Sequence, residues 1–277
     1  MKKTILFFVV NFSLTLFCQE RLDLDYLASK YALSSFEGFK KLLSIPNDAN
    51  DKIGIEKNIE WTEIEFGKRG FKVSKIMTKG APLLLAKRSF TSKGKTVLVY
   101  LQMDGQPVDT SKWNQENPYI PVLKKMNSSG DWVSLEWKEI YDYNDDWRIF
   151  ARSASDAKGP VSMFLAAIDA IDENGIAPNF NIKVILDFEE EMGSPNLPDA
   201  VKKNGELLNS DVLIILDGPR HRLNKPTLTF GARGIATIQL TTYGPIVPQH
   251  SGHFGNYVPN PALRLSKILA SMKDENG

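Results

Sequence analysis

Three largely apolar runs, each followed at once by acidic side chains, constrain the fold of this chain more than any other feature. The runs occupy residues 96–101, 181–188 and 211–216 and are rich in valine, isoleucine and leucine. Such runs predict parallel strands that are covered on both faces of a sheet. The acids that follow them are Asp104, Glu189, Glu190, Glu191 and Asp217. Because ligands bind outside the carboxyl ends of strands in open α/β sheets, these acids predict a site at one edge of the sheet.

The carboxylates after the second run are adjacent in the chain, which brings like charges together. Such crowding is unfavourable unless cations or a catalytic proton relieve it, so a metal site is the first hypothesis. A further carboxylate, Asp156, precedes an apolar, alanine-containing segment at residues 161–171 that predicts a buried helix. Asp156 or Ser155 could instead cap that helix, and the sequence alone leaves both roles open.

The remaining periodicity predicts an α/β fold. Apolar residues recur at helical spacing over residues 21–43, with Ser34 or Ser35 as a cap between two helices. Further predicted elements are a helix over residues 53–70 and strands at residues 71–77 and 82–87. This alternation predicts a mixed, largely parallel sheet with helices on both faces.

Residues 107–150 are different in kind, since they are rich in tryptophan, tyrosine, asparagine and aspartate and show no sustained period. A long irregular connection of this type either lines a site or covers the edge of a sheet. The aromatic side chains could also simply pack over the sheet. Asp142, Asp145 and Asp146 predict a solvated turn, because the glycine and terminal glutamate of an EF-hand loop are missing.

Length and charge restrict the classes of function. The chain has 277 residues and a formal net charge of +1, with basic and acidic side chains interspersed. No electrostatic footprint for nucleic acid is present. The length suits one large domain and part of another. Apolar and polar side chains alternate over residues 227–243, which predicts strands of a two-stranded sheet with one solvent-exposed face, and residues 262–272 predict a helix. We interpret these elements as the start of a smaller α+β domain whose remainder is absent, because two strands and one helix are marginally stable alone.

The first residues predict a secretory signal. Lys2 and Lys3 precede an apolar stretch at residues 5–17 that is too short and too interrupted for a confident membrane span. We therefore expect export to the periplasm or the exterior, with cleavage near Cys18. Cys18 could instead carry a lipid anchor, which the bulky Phe17 disfavours. The predicted organisation is a signal at residues 1–19, one large domain at 20–225 and part of a second domain at 226–277.

Six ordered motifs give the chain a resemblance to a known family. They are YLQMDGQPVD (residues 100–109), ARSASDAKGPV (151–161), EEEMGSPNL (189–197), DGPRH (217–221), GARG (231–234) and HSGHFGNYVPNP (250–261). Together they resemble the co-catalytic metallopeptidases that include acetylornithine deacetylase, succinyl-diaminopimelate desuccinylase, glutamate carboxypeptidase and carnosinase-like dipeptidases. The dipeptidase branch is the most similar. Several ordered motifs are a specific signal, whereas any one of them would be weak.

The resemblance implies a role for each acid. Asp156 would bridge two divalent metal ions, zinc in such enzymes, with Asp217 and Glu191 completing their ligand sets. Glu190 would be the general base and Asp104 would belong to the same catalytic centre. His250 would contact the substrate of a partner subunit, so a homodimer is implied. By the same resemblance, residues 20–225 would be the catalytic domain and residues 226–277 part of a lid or dimerisation domain. The implied substrates are small peptides or N-acyl amino acids.

Two departures from the family pattern are visible. Gln102 stands where the family has a metal-binding histidine, and a neutral amide oxygen is a weaker zinc ligand than imidazole. One metal position should then be looser, and Asp104 could approach the metal itself. The last metal histidine of the family lies beyond residue 277, so we expect a C-terminally truncated member. His221 could serve as a substitute ligand.

Three hypotheses remain open at this point. The first is an exported, metal-dependent amidohydrolase, with this chain either a fragment of the working enzyme or dependent on a complementary piece. The second is a catalytically silent relative with a binding role only. The third, a two-metal phosphoesterase, explains the acids but leaves the segments at residues 231–234 and 250–252 unexplained.

Overall fold

The chain divides into two compact units, Met1–Pro219 and Arg220–Gly277. The computed structural model describes residues 23–142, 144–218, 223, 225 and 227–275. The predicted secretory signal, Cys18 and His221 lie outside these residues. The functional division predicted at residue 225 stays a prediction, since compactness alone assigns no role to either unit.

Two long helices open the first unit. They are α1 (Leu24–Leu43) and α2 (Lys52–Lys68). Asp23 caps α1 and Asp51 caps α2, each through a carboxylate that accepts a backbone N–H of the first turn. The predicted break between two helices in residues 21–43 is wrong. The hydroxyls of Ser34 and Ser35 donate to carbonyls three residues earlier in the same helix, so neither side chain caps a new one.

A five-stranded mixed sheet forms the centre of the first unit. Its strands are β1 (Lys72–Ile76), β2 (Leu83–Arg88), β3 (Thr96–Gln102), β7 (Asn181–Asp187) and β8 (Val212–Ile215). Their spatial order is β1-β2-β7-β3-β8. β3 runs parallel to both β7 and β8, whereas β1 with β2 and β2 with β7 pair antiparallel. The three apolar runs are therefore neighbouring parallel strands, and the α/β fold class predicted from the sequence is confirmed.

Apolar layers cover both faces of this sheet, because successive side chains of a strand point to opposite sides. On one face, Leu101 of β3 belongs to a core with Leu42 of α1, Ile59 of α2 and Leu165 of α3 (Lys158–Glu173). The other face has a smaller core. Its helical members come from α4 (Leu197–Lys203) and α5 (Gly205–Leu208), which pack against β2, β3 and β7. Helices on both faces agree with the sequence prediction.

β8 departs from the prediction that all three runs are covered on both faces. All four of its side chains are exposed, and Leu213 keeps 56% of its surface accessible. Within the described part of the chain, β8 is the end strand of the sheet and pairs only with β3. An apolar sequence was sufficient to predict the strand, but it did not reveal the edge position.

Residues 107–150 contain a second, three-stranded antiparallel sheet, so the prediction of a wholly irregular connection is wrong. Its strands are β4 (Val122–Met126), β5 (Trp132–Ser134) and β6 (Arg148–Phe150), in the order β5-β4-β6. Strands of three to five residues are too short to show a clear alternation. The ring of Trp132 meets that of Phe150 edge to face, with the ring centroids 5.0 Å apart. The indole N–H of Trp137 donates to the carboxylate of Glu37 at 2.7 Å. These aromatic side chains pack and bond within the fold.

The described residues of the second unit form two helices, α6 (Ser251–Phe254) and α7 (Pro261–Ser271). The helix predicted at residues 262–272 is confirmed. Residues 227–243 contain no strand, so the predicted two-stranded sheet is wrong. Two strands without further partners bury too little surface to be stable. Among the described helices of the whole chain, none is both long and apolar enough to cross a bilayer.

Candidate active site

Glu190 lies among the acids predicted from the sequence. Burial and then repulsion by the carboxylates of Glu191, Asp104, Asp217 and Asp156 raise the pKa of Glu190 to about 7. Charge repulsion falls with distance, so these carboxylates lie near Glu190. They come from the chain after β3, the loop before α3, the turn after β7 and the residue shortly after β8. The carboxyl ends of the three parallel strands therefore bring the predicted acids to one region.

Asp104 is the most buried of these acids, with 1% of its surface exposed. Its Oδ2 accepts the backbone N–H of Glu191 at 2.9 Å, while Oδ1 has no hydrogen-bond partner. Burial raises the pKa of Asp104 to about 6, although the hydrogen bond from Glu191 opposes this rise. One carboxylate oxygen is therefore free to bind a proton or a cation.

Gln102 supplies a second unpartnered oxygen. Its side chain is 4% exposed, and its Oε1 has no partner. Leu101 and Met103 belong to the larger core, so the alternation of an extended chain places Gln102 and Asp104 together on the opposite face. An unsatisfied buried acceptor costs about 1–3 kcal/mol. A cation bound nearby would satisfy both oxygens.

Glu191 lies in the turn Glu190–Met192, directly after β7. Its Oε2 accepts the Nε2–H of Gln106 at 2.7 Å. Gly193 ends the turn with a φ of 82°, in the left-handed region that glycine tolerates without steric cost. The turn thus places two consecutive carboxylates at the end of a buried strand.

Glu189, the first of the three adjacent glutamates, has a different role. It is buried, and its Oε1 accepts the backbone N–H of Ala81 at 3.0 Å. Its Oε2 accepts the amide of Asn196 at 2.7 Å. Both oxygens are therefore used to join the chain before β2 to the chain before α4. The sequence alone did not separate Glu189 from its two neighbours.

Asp187 is a buried acid that the sequence analysis did not single out. Its carboxylate accepts the hydroxyl of Tyr100 at 3.0 Å, the hydroxyl of Ser194 at 2.7 Å and the backbone N–H of Glu189 at 3.0 Å. Burial and the neighbouring charge of Asp187 raise the pKa of the Tyr100 hydroxyl. The signal that could have found it is an aspartate inside an otherwise apolar strand.

Asp156 is exposed in the loop before α3, and its peptide bond to Ala157 is cis. The N-terminus of α3 has no side-chain cap, so neither Ser155 nor Asp156 caps it. The capping interpretation is wrong, and the Asp156 carboxylate remains available to the site. Lys158, two residues further on, is fully buried, and burial lowers its pKa to about 7.

His250 belongs to the second unit, where it begins α6. Its Nδ1 accepts the backbone N–H of Gly252 at 3.0 Å, and its ring lies 5.0 Å from that of His253. The hydrogen bond from Gly252 occupies Nδ1 and leaves Nε2 of the ring to contact a ligand. Its role toward a substrate stays a prediction.

The donor chemistry of this region fits a divalent cation. Carboxylate and amide oxygens are metal ligands, and the repulsion that raises the pKa of Glu190 is relieved by positive charge. Within the described ranges, no three histidine, cysteine, aspartate or glutamate side chains are already drawn together as a metal-binding group. The region thus has the negative charge and the ligand oxygens of a metal site, but these described residues do not form a coordination shell in advance.

Residues 98–251 match the family model described as peptidase family M20/M25/M40, and this match spans more than half of the chain. The chain belongs to this family. The match runs from β3 to α6 and includes Asp104, Asp156, Glu190, Glu191 and Asp217. The resemblance inferred from the sequence motifs is therefore confirmed.

Relatives in this family include dipeptidases. A Cys-Gly metallodipeptidase from Schizosaccharomyces pombe is 30% identical over 200 residues, which cover 71% of this chain and 37% of the relative. A cysteinylglycine-S-conjugate dipeptidase from Corynebacterium striatum is 29% identical over 229 residues, which cover 80% of this chain and 44% of the relative. The chain spans less than half the length of either relative.

The fold is also similar to that of a solved M20 family metallo-carboxypeptidase from Sulfolobus solfataricus. The TM-score is 0.65 at 27% sequence identity, and the similarity covers 88% of this chain and 50% of that structure. This similarity supports the α/β fold class independently of the sequence motifs.

Proposed function

We propose that this chain carries the catalytic acids of a metal-dependent amidohydrolase that cleaves small peptides or N-acyl amino acids. The observation that carries the proposal is the convergence on Glu190 of carboxylates from four chain segments. In the metal-free chain burial and their repulsion raise the pKa of Glu190, whereas bound cations would offset the repulsion and favour the ionised carboxylate that a general base requires. Membership of the M20 family and the dipeptidase relatives support the same reaction class.

Two divalent ions, proposed to be zinc, would be held by Asp156, Glu191 and Asp217, with Asp156 shared between them. The unpartnered oxygens of Asp104 and Gln102 are further potential metal-ligand atoms at the same edge of the sheet. Bound divalent ions supply Lewis-acid chemistry, which polarises an amide carbonyl and makes a water acidic near neutral pH. The crowded carboxylates favour such binding, because cations offset their mutual repulsion.

Glu190 would then perform both proton transfers of amide hydrolysis. Its carboxylate takes a proton from the attacking water and later donates it to the leaving amine. Buried Glu189 cannot share this role, because both of its oxygens already accept hydrogen bonds within the fold. Buried Asp104 would also hold the turn that carries Glu191 in place, because its Oδ2 accepts the backbone N–H of Glu191.

Three further features belong to the proposal and rest on the sequence. His250 of a partner subunit would stabilise the negative charge that develops on the amide oxygen, which requires a homodimer. The segment at residues 1–19 would direct export. The substrates would be dipeptides of the kind named for the relatives, or N-acyl amino acids.

The test combines metal content with hydrolysis. The purified chain would be loaded with zinc, dialysed and measured for bound metal, and then assayed with Cys-Gly and an N-acetyl amino acid. Glu190→Ala is compared with Glu206→Ala, an exposed glutamate on α5. We expect stoichiometric metal in all three proteins and a loss of activity of about 10²-fold or more in Glu190→Ala alone.

Each other outcome counts against part of the proposal. Absence of bound metal in the parent chain would overturn it and favour a catalytically silent relative. Stoichiometric metal without hydrolysis of either substrate class would keep the metal site and reject hydrolysis by this chain. Equal loss in both variants would reject the role of Glu190.

A further inference from the structure

Asn47 connects the two loops that carry Asp104 and Asp156. It is 0% exposed and follows the C-terminal end of α1. Its Nδ2 donates to the carbonyl of Met103 at 2.9 Å and to the hydroxyl of Ser153 at 3.0 Å. Met103, which precedes Asp104, and Ser153, shortly before Asp156, therefore bond to the same buried side chain.

Backbone contacts strengthen this connection. The carbonyl of Asn47 accepts the N–H of Gly105 at 2.8 Å, and the carbonyl of Gly105 accepts the N–H of Ala49 at 3.2 Å. Residues on both sides of Asp104 are thus bonded to the same turn. A Cβ at Gly105 would meet Ser153 Oγ at 2.5 Å and Asn47 Nδ2 at 3.1 Å, so the close approach of these three residues requires glycine.

Ser153 itself needs support from outside its loop. Its φ of 59° lies in the left-handed region, which is uncommon for a residue other than glycine. Its hydroxyl donates to Asn47 Oδ1 at 3.3 Å, and its carbonyl accepts the N–H of Lys158 at 3.0 Å. Surrounding contacts are what maintain a backbone of this kind.

Lys158 holds the other end of the loop. Its side chain is 0% exposed, and its Nζ donates to the carbonyls of Leu42 at 2.9 Å and Ile45 at 2.5 Å. These carbonyls belong to the C-terminal end of α1 and the turn after it, just before Asn47. Asp156 therefore lies between two anchors, Ser153 and Lys158, that are bonded to the same part of the chain.

We propose that Asn47 is a positioning residue of the metal site, which holds the loops of Asp104 and Asp156 at the separation needed to bind a cation. This inference rests on the proposed function, since it requires that the chain binds divalent metal. Asparagine suits the role because its amide donates two hydrogen bonds while its oxygen accepts one. Aspartate, almost the same in shape, would turn an oxygen toward the Met103 carbonyl and lose both donors.

The experiment compares Asn47→Asp with Thr62→Val by titrating metal-free protein with Zn²⁺ in a calorimeter. Thr62 is equally buried and donates its hydroxyl to the Asn58 carbonyl within α2, so its variant loses a buried hydrogen bond outside the two loops. We expect Asn47→Asp to bind Zn²⁺ about 10- to 100-fold more weakly, as found for residues that orient metal ligands. Thr62→Val should bind as the parent does.

The visible spectrum of bound Co²⁺ provides a second readout, because it reports the geometry of the ligands and does not depend on global stability. We expect the spectrum to change in Asn47→Asp and to stay unchanged in Thr62→Val. If Asn47→Asp does not fold, Ser153→Ala removes one contact of the same network and should give a smaller change in the same direction.

The outcomes separate the two proposals. A parent chain that binds neither Zn²⁺ nor Co²⁺ would overturn the proposed function, and this inference with it. A parent that binds metal, with unchanged affinity and spectrum in Asn47→Asp, would overturn only the positioning role. Equal weakening in Thr62→Val would also overturn it, since the effect would then follow from lost stability.

Discussion

The two sides of the candidate site are supported very differently. Asp104 follows a central strand, and its neighbours are bonded to buried Asn47. Asp217 follows β8, the end strand, whose four side chains are exposed in the described structure. Acids that look equivalent in the sequence therefore follow a buried strand in one case and an exposed strand of the same sheet in the other. We expect the position of Asp217 to depend more on bound metal than that of Asp104.

The largest expected effect is the difference in unfolding free energy between truncating a leucine of β3 and truncating a leucine of β8. Leu101→Ala in β3 removes a 0% exposed side chain and should lower the free energy of unfolding by about 2–5 kcal/mol. Leu213→Ala in β8 removes an exposed side chain and should change it by about 0.5 kcal/mol or less. Urea denaturation of the metal-free proteins measures both. Equal losses would show that β8 is as well supported as β3.

The adjacent glutamates provide the next contrast. Glu189→Ala removes the acceptor of two hydrogen bonds, and should destabilise the protein by about 1.5–3 kcal/mol because hydrogen bonds to charged groups are among the stronger ones. Glu190→Ala removes a repelled carboxylate and should leave the metal-free protein equally or more stable at pH 7. Denaturant titration at this pH gives both values. A destabilising Glu190→Ala would contradict the assigned roles.

Gln102→His tests the buried side of the site, which carries Asp104, directly. Imidazole binds zinc more strongly than an amide oxygen, and position 102 is already buried beside Asp104. We expect the affinity for zinc to rise about tenfold, which corresponds to about 1.4 kcal/mol. Competition with a chromophoric chelator measures this change. Gln115→His, in the loop before β4, controls for an added histidine and should leave the affinity unchanged.

The last contrast concerns the pH dependence of stability. The pKa of Glu190 is about 7 in the folded chain against an ordinary 4.5, and that of Asp104 is about 6 against 3.8. Between these values the folded state retains protons that the unfolded state has released, so stability should fall as pH rises from about 3.8 to about 7. Thermal unfolding of metal-free protein measures the slope.

Glu190→Gln is the matched variant for this measurement. It cannot ionise, so the slope between about pH 4.5 and 7 should become flatter, while the contribution of Asp104 between about pH 3.8 and 6 remains. Saturating zinc should also reduce the slope in the parent chain, because cations offset the repulsion. An identical slope in parent and variant would reject the raised pKa of Glu190.

The three parallel strands were predictable because the runs at residues 96–101, 181–188 and 211–216 are apolar, and the acids after them lie at the shared carboxyl edge. Ser34 and Ser35 misled the prediction because a serine can bond inside a helix as well as cap one. Residues 107–150 misled it because their strands are too short for a period to be recognised.

The sequence by itself determined the family, the strands that end in acid and the identity of the acids, since these follow from local hydrophobic patterns and ordered motifs. Only the tertiary structure decided that Glu189 is bonded within the fold, that β8 is exposed and that Asn47 reaches both loops. Those properties depend on which distant segments meet. The partners of Asn47 lie more than 50 residues away in the chain, and no local pattern specifies such contacts.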